Sequence, residues 1–480
     1  MPFLGETCGF RRCLGEIIFH GGTIEVDRLI PRGDPIQTLI PGSELARGGK
    51  GILTMNIYKE LVEHEVFPAL GCTEPIAVAY AAAVAAAQLK GEVEEIRIEV
   101  DPGVFKNGFA VTVPNAGGET GNLIAGALGA LIARPELKME ILKGTDESLL
   151  GRAKQLLAGQ RVTLTYDDKR VGLYIDVTVR AAGGTARAVL EGGHTNLVRL
   201  EKDGTPLVDG AGPGPGAKGH AYRERLREMT IAGMIDLAAG LDAEDLAYLR
   251  RGVEMNLALA EAGKKLGTVG HFVADLVSKG LLVDDVVSTS KVLTASASDA
   301  RMAGLPYPAM ASGGSGNQGI VAALVPYTVG RFYGIPEETI LKSIALSHLV
   351  NGYIKCYTGD LSPICGCAIA AGVGAAVAIV YQQAGKDLEK INLAVNTLVS
   401  DLGGMLCDGA KGGCALKVVS STESAIRAAY MALNSHGITE EQGFVGRSAE
   451  ETIQNMSRIS KIGMALVDET MLGIMLEKKE

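Results

Sequence analysis

Glu94-Glu-Ile-Arg-Ile-Glu-Val100 is where the periodicity of this chain changes. Ile96, Ile98 and Val100 alternate with charged residues, the period of a strand with one buried face. The residues before it read as helix: the amphipathic run 56–66 and the Ala-rich stretch Pro75–Leu89, broken by the loop Phe67-Pro-Ala-Leu-Gly-Cys-Thr-Glu-Pro75. Proline 75 suits the first turn of the second helix, where its missing N–H is not needed, and Thr73 is a natural cap. After Val100 the segments Gly108–Val113, Arg161–Tyr166, Leu173–Arg180 and Thr185–Glu191 read as strands, with helices over Gly121–Ala133 and Asp146–Leu157. This module, 93–208, closes at Asp209-Gly-Ala-Gly-Pro-Gly-Pro-Gly-Ala217, whose glycines and prolines predict an irregular linker over 209–222. From 223 onward the pattern is helical: Arg223–Leu241, Ala243–Leu266, His271–Lys279, Gly319–Arg331, Pro336–Asn351, Ala368–Ala384, Lys386–Ser400 and Ser421–Leu433. Gly-rich loops at Ala311–Gly319, Tyr357–Gly366 and Leu402–Gly413 separate some of them. The expected fold class is α+β. A large, mostly α-helical domain (55–92 and 223–480) carries a smaller α+β domain (93–208) inserted after its first two helices. Residues 1–54 read as an atypical N-terminal extension, either translated upstream sequence or a family-specific addition.

The 480 residues are 47% hydrophobic and 21% charged, enough for a sizeable core. A net charge of −9 argues against nucleic acid as a partner, because polyphosphate selects basic surfaces. The longest nearly uncharged stretches, Pro75–Leu89 and Ile364–Gln382, are rich in Ala and Gly rather than Leu and read as buried helices, not membrane spans. The N-terminus shows no secretory pattern, so the expected location is the cytoplasm, where cysteines are more often metal-binding or catalytic than disulfide-bonded. Homo-oligomerisation is left open.

Of eight cysteines, Cys72, Cys356, Cys365, Cys367, Cys407 and Cys414 lie in the main body, in or near loop–helix junctions. Cys407-Asp-Gly-Ala-Lys-Gly-Gly-Cys414 is the most telling segment. Its glycines let the backbone wrap a bulky inorganic core, and thiolates suit soft metals and iron–sulfur clusters. Cys365-Gly-Cys367 offers a further thiolate ahead of a helix, where the dipole and free amides lower a thiol pKa. The tight Cys-x2-Cys pairs usual in structural zinc sites are missing.

The segments Phe67–Pro75, Ala311-Ser-Gly-Gly-Ser-Gly-Asn-Gln-Gly319, Leu361-Ser-Pro-Ile-Cys-Gly-Cys-Ala-Ile-Ala-Ala-Gly372 and Cys407–Cys414 resemble those of the L-cysteine desulfidase family, itself related to the α domain of bacterial iron–sulfur L-serine dehydratases. The resemblance covers roughly 55–475. It implies a lyase that does not use pyridoxal phosphate, with a [4Fe–4S] cluster on Cys367, Cys407 and Cys414 and one iron left open. Cys365 rivals Cys367 as a ligand. The implied reaction is β-elimination of L-cysteine to pyruvate, ammonia and hydrogen sulfide. Cys72, ahead of a helix, is the first choice of catalytic base and Glu74 the alternative.

In the loop 312–318, Ser312, Ser315, Asn317 and Gln318 offer hydroxyls, side-chain amides and backbone N–H groups for the substrate carboxylate. His348 and Asn351 share a helix face upstream of the cysteines, and His348 is a further candidate for substrate binding. Lys355 and Thr358 follow. Asn115-Ala-Gly-Gly-Glu119 and Gly192-Gly-His194 stand out without a role. Three other readings are carried: an iron–sulfur L-serine/threonine dehydratase; a pyridoxal-phosphate lyase, because Ser312–Gly319 is similar to phosphate-binding loops; and a non-catalytic zinc-binding subunit.

Overall fold

The computed structural model describes residues 57–170, 172–209 and 215–478. The extension 1–54, with Cys8 and Cys13, lies outside them. In chain order the elements are α1 (Ile57–Glu65), β1 (Pro68–Ala69), α2 (Thr73–Ala86), β2 (Val93–Val100), α3 (Pro102–Asn107), α4 (Asn122–Ile132), α5 (Glu147–Ala158), β3 (Val162–Tyr166), β4 (Tyr174–Ala181), β5 (Gly184–Glu191), β6 (Leu197–Lys202) and β7 (Thr205–Asp209). The helical part follows: α6 (Pro215–Glu228), α7 (Ile231–Ala239), α8 (Ala243–Gly263), α9 (Val269–Ser278), α10 (Val286–Met302), β8 (Ala309–Met310), α11 (Gly316–Phe332), α12 (Glu337–Thr358), α13 (Ala370–Ala384), α14 (Leu388–Leu402), α15 (Cys414–Leu433), α16 (Ala449–Arg458) and α17 (Val467–Glu477). The chain is thus α+β, with a large helical part. No helix among the described residues is long and apolar enough to cross a membrane.

A six-stranded sheet has the order β3-β2-β4-β5-β6-β7, antiparallel except for the parallel pair β2–β3. The alternation in β2 works as its sequence dictates. Ile96, Ile98 and Val100 point into the core, while Arg97 and Glu99 face solvent. That buried face is covered by α2 and α4. Every residue of α2 is buried, and its small side chains allow close approach. A Cβ on Gly129 of α4 would lie 2.0 Å from the Ala79 carbonyl oxygen, so only glycine permits this crossing. By its sequence α2 groups with the helical part; in space it is the helix on which the sheet rests, because its mostly small side chains pack closely against a sheet as well as against a helix.

Several expectations need correction. Gly108–Val113 is not a strand. Asp101 caps α3 by accepting from the Gly103 and Val104 N–H groups, and the residues after α3 form a loop held by the Thr112–Thr120 bridge and by the Asn122 N–H donating to Gly108 O at 3.1 Å. Buried Val111 and Val113 mimic strand alternation while anchoring that loop. Residues 210–214 of the expected linker lie outside the described residues, and α6 already begins at Pro215, a residue at home in a first helical turn. Arg223–Leu241 is two helices, since Thr230 caps a new one by accepting from Gly233 N–H at 3.1 Å. Cys72, not Thr73, occupies the N-cap of α2. α12 runs on to Thr358, and α15 starts at Cys414 rather than Ser421. α10 escapes a hydropathy reading because Ser290, Thr294, Ser296 and Ser298 interleave with Leu293, Ala295 and Ala297 among its buried residues. Two of these hydroxyls bond back to the helix: Ser290 Oγ to Val286 O at 2.7 Å and Thr294 Oγ1 to Ser290 O at 2.8 Å.

Candidate active site

Two cysteine-bearing loops are laced together. The Cys365 N–H donates to Met405 O at 2.8 Å and the Cys407 N–H to Pro363 O at 2.7 Å, around an antiparallel bridge between Ile364 and Leu406. Cys414 begins α15 beside them, and Cys367 lies just ahead of α13. The four thiols share one electrostatic neighbourhood. Burial and the Cys365 thiol push up Cys407, and burial with its sulfur neighbours raises Cys414 to about 11. The hydrogen bond from Cys367 lowers Cys365 and raises Cys367. Lys106, itself buried, donates to the Cys407 carbonyl at 2.8 Å and pairs with Asp468 at 2.5 Å. Lys417 donates to Leu406 O at 2.7 Å and pairs with Asp408. Among the described residues no three His, Cys, Asp or Glu side chains converge as ligands of a single metal ion.

Strand β1 pairs with β8, which brings the loop holding Cys72 against the Gly-rich turn. Cys72 packs with Val111, Met302 and Cys414. Its thiol donates to Glu74 Oε2 at 2.9 Å, while Asn107 Nδ2 donates to Glu74 Oε1 at 3.0 Å. His194 Nε2 stands 3.9 Å from the same Oε1. Burial pushes the Glu74 carboxyl up, but His194, Cys72 and Asn107 together hold it well below the usual carboxylate range. Cys72 goes the other way. Burial first and then the Glu74 charge raise its thiol well above the ordinary value, only partly offset by the buried Arg301 guanidinium. The thiolate expected from a position ahead of a helix is therefore not the resting form, because desolvation outweighs the helix dipole.

Ser312 and Ser315 exchange backbone hydrogen bonds of 3.1 and 3.0 Å around Gly313 (φ +55°) and Gly314 (φ +72°), a left-handed pair that glycine alone adopts without strain. The Ser312 hydroxyl meets His348 Nδ1 at 2.8 Å and Asn351 Nδ2 at 2.9 Å. Burial lowers His348 to about 4, so it is neutral. Asn317 and Gln318 fall in the first turn of α11. Both are buried, and the side-chain oxygen of each has no hydrogen-bond partner.

A small cavity of about 70 Å³ joins these parts. Of the expected site residues, Glu74, Ser315, Gln318, Cys367 and Cys407 line it. Cys72, Ser312, Asn317, His348 and Cys414 are not on its wall; Ser312 and His348 brace the turn from behind. The wall also holds Lys106, Asn107, His194 and Lys355. Lys355 is 3% exposed and donates to Asp360 O at 2.5 Å, and burial lowers its pKa. Arg223 grips the Asp360 carboxylate at 2.7 and 3.0 Å. Lys355 and the Gly-Gly-His194 turn were visible as polar residues in suggestive places. Lys106 carries no signal in the sequence, because it lies far along the chain from Cys407.

Residues 158–473 match the model of the serine dehydratase alpha chain family. The chain belongs to that family. The matched region includes His194, the Gly-rich turn, Lys355 and all four clustered cysteines, with Cys72 and Glu74 ahead of it. The chain is 70% identical over 425 residues to a UPF0597 protein of Geobacter sulfurreducens, covering 88% of this chain and 99% of that one. A UPF0597 protein of Elusimicrobium minutum is 52% identical, with 88% and 100% covered. One of Desulfotalea psychrophila is 39% identical over 429 residues, with 88% and 98% covered. No solved structure matches.

Proposed function

We propose that this serine dehydratase alpha chain homologue is an iron–sulfur lyase that eliminates the β-substituent of a small amino acid, and that its reaction is desulfidation of L-cysteine to pyruvate, ammonia and hydrogen sulfide. One observation carries the reading. Two cysteine thiols, a carboxylate held ionised, two buried lysines and an unpartnered amide oxygen line a cavity that admits only a small molecule. The cysteine specificity rests on the resemblance of the four motifs to the desulfidase family.

The donor set fits a cluster. It is made of soft thiols on two cross-bonded loops and at the start of α15, close enough to raise one another's charge cost. Cys367, Cys407 and Cys414 would hold a [4Fe–4S] core. Cys367 is preferred to Cys365 because the motif resemblance places the ligand there, and it lines the cavity beside Cys407. When bound, such a core supplies a Lewis-acidic iron without a protein ligand.

The chain's own residues do the rest. Lys355 meets the substrate carboxylate, and Gln318 Oε1 accepts from the ammonium. Glu74, on the cavity wall, takes the α-proton at Oε1, and the electron pair left on carbon expels the β-substituent. Cys72 polarises the carboxylate from behind through Oε2. The aminoacrylate released then takes up water to give pyruvate and ammonia.

Anaerobic purification followed by iron and acid-labile sulfide analysis, with turnover of L-cysteine, L-serine and L-threonine compared, tests the reading. Iron, sulfide and fastest turnover of cysteine are expected. Faster serine turnover replaces the desulfidase by a dehydratase. Zinc without iron, or the sharp absorption of a pyridoxal aldimine, overturns the cluster.

A further inference from the structure

His194 sits in the turn between β5 and β6, and the sheet carries it across to the cysteine loops. Its side chain is 10% exposed, and its Nε2 is buried without a hydrogen-bond partner. The ring rests over the Gly-rich turn, where a Cβ on Gly314 would lie 3.4 Å from Nδ1. Nε2 points toward Glu74, 3.9 Å from Oε1.

The position matters more than the pair. A second, larger cavity of about 250 Å³ adjoins the first, and His194, Gly314 and Asp360 line both. The outer one is walled by Glu63, His64, Lys138 and Arg223 among others. His194 is therefore the titratable ring at the boundary between the reaction cavity and the space outside it. On the inner side Lys106 and Lys355 face the same cavity.

Glu74 by itself is a poor final acceptor for a proton taken from carbon. Its Oε2 is occupied by the Cys72 thiol, and its charge is stabilised from several sides. An imidazole beside Oε1 removes that difficulty.

We propose that His194 takes at Nε2 the proton that Glu74 Oε1 removes from the substrate's α-carbon, and releases it to the outer cavity. This rests on the lyase reading above. The steps balance. The Cα–H bond breaks and an O–H bond forms at Oε1; that O–H bond breaks as the Nε2–H bond forms. Glu74 returns to carboxylate, and the imidazolium, stabilised by the Glu74 and Asp360 charges, gives its Nδ1 proton to water of the outer cavity, after which proton exchange with that water restores the Nδ1–H tautomer. The relay requires Nε2 to be free of a proton at the start and leaves it free at the end, and no electrons are exchanged. His194 is a positioning and relay residue that acts through Glu74.

The test uses holoenzyme. His194→Gln should lower kcat roughly 100-fold, leave KM for the amino acid nearly unchanged and keep the wild-type cluster absorption. His194→Gly, with space for a free ring beside the outer cavity, should regain turnover when imidazole is added, whereas His194→Gln should not. Wild-type turnover in His194→Gln, failure of imidazole to stimulate His194→Gly with its absorption intact, or loss of the absorption in both variants would each overturn the relay. Wild-type enzyme that turns over no amino acid fails at the earlier level and removes the lyase reading itself, so the two failures are distinguishable.

Discussion

Glu74 and Cys414 separate two jobs at the scale of single side chains. Glu74 faces the cavity but does not belong to the thiol group, so Glu74→Gln should keep full iron content while kcat falls by roughly 100-fold or more. Cys414→Ser should lose iron, brown colour and turnover together. Iron analysis alongside turnover reads both; an iron-replete Cys414→Ser enzyme would remove that residue from the ligand set. His348 gives a pH prediction. Its folded pKa, about 4, lies below the unfolded value near 6.5, so the stability it contributes is present above about pH 6.5 and is lost as pH falls toward 4. The depression corresponds to about 3 kcal/mol, seen as a falling melting temperature across that window. His348→Gln should flatten this part of the profile.

Among the elements, α2 and α4 depend on near-contact of backbones. Gly129→Ala would press a methyl group into the Ala79 carbonyl, 2.0 Å away, and part the two helices. Overpacking of this kind costs about 1–3 kcal/mol, and a drop in the urea midpoint with an unchanged slope is the expected result. Because α2 also carries Glu74 at its first turn, a displaced helix should lower turnover before it unfolds the protein. The legible elements were those whose burial is apolar, such as β2 and the Ala-rich helices. α10 was invisible because hydroxyl side chains interrupt its buried apolar positions, and the mistaken strand at 108–113 came from two valines that anchor a loop.

At the level of the whole molecule, three distant segments meet at Lys106. Its ammonium, on α3, holds the Cys407 carbonyl and the Asp468 carboxylate of α17. Lys106→Met should free the loop 405–414, so that a chelator strips iron faster than from wild type while secondary structure by circular dichroism stays the same. Equal stripping rates would show that the lysine does not restrain the loop. The cavity has the same composite character. Glu74, Asn107 and His194 come from the sheet and its covering helices, and Lys355, Cys367 and Cys407 from the helical part, so neither part holds the site alone.

The sequence by itself determined the α+β class, most helices and strands, and the segments in which the thiols, the Gly-rich turn and the Cys72–Glu74 loop lie. These follow from local periodicity, from glycine's access to positive φ and from the special chemistry of cysteine, all of which can be read over a few residues. Only the tertiary structure decided which of those groups face one cavity. It put Glu74 and not Cys72 on the wall, turned His348 into a brace for Ser312, and brought His194 and Lys106 to a centre far from them in the chain. It also reversed the expectation for the Cys72 thiol. The physical reason is the same in each case. Desolvation and side-chain pairing depend on what packs against a residue, and those neighbours are set by contacts long in sequence that no local pattern encodes.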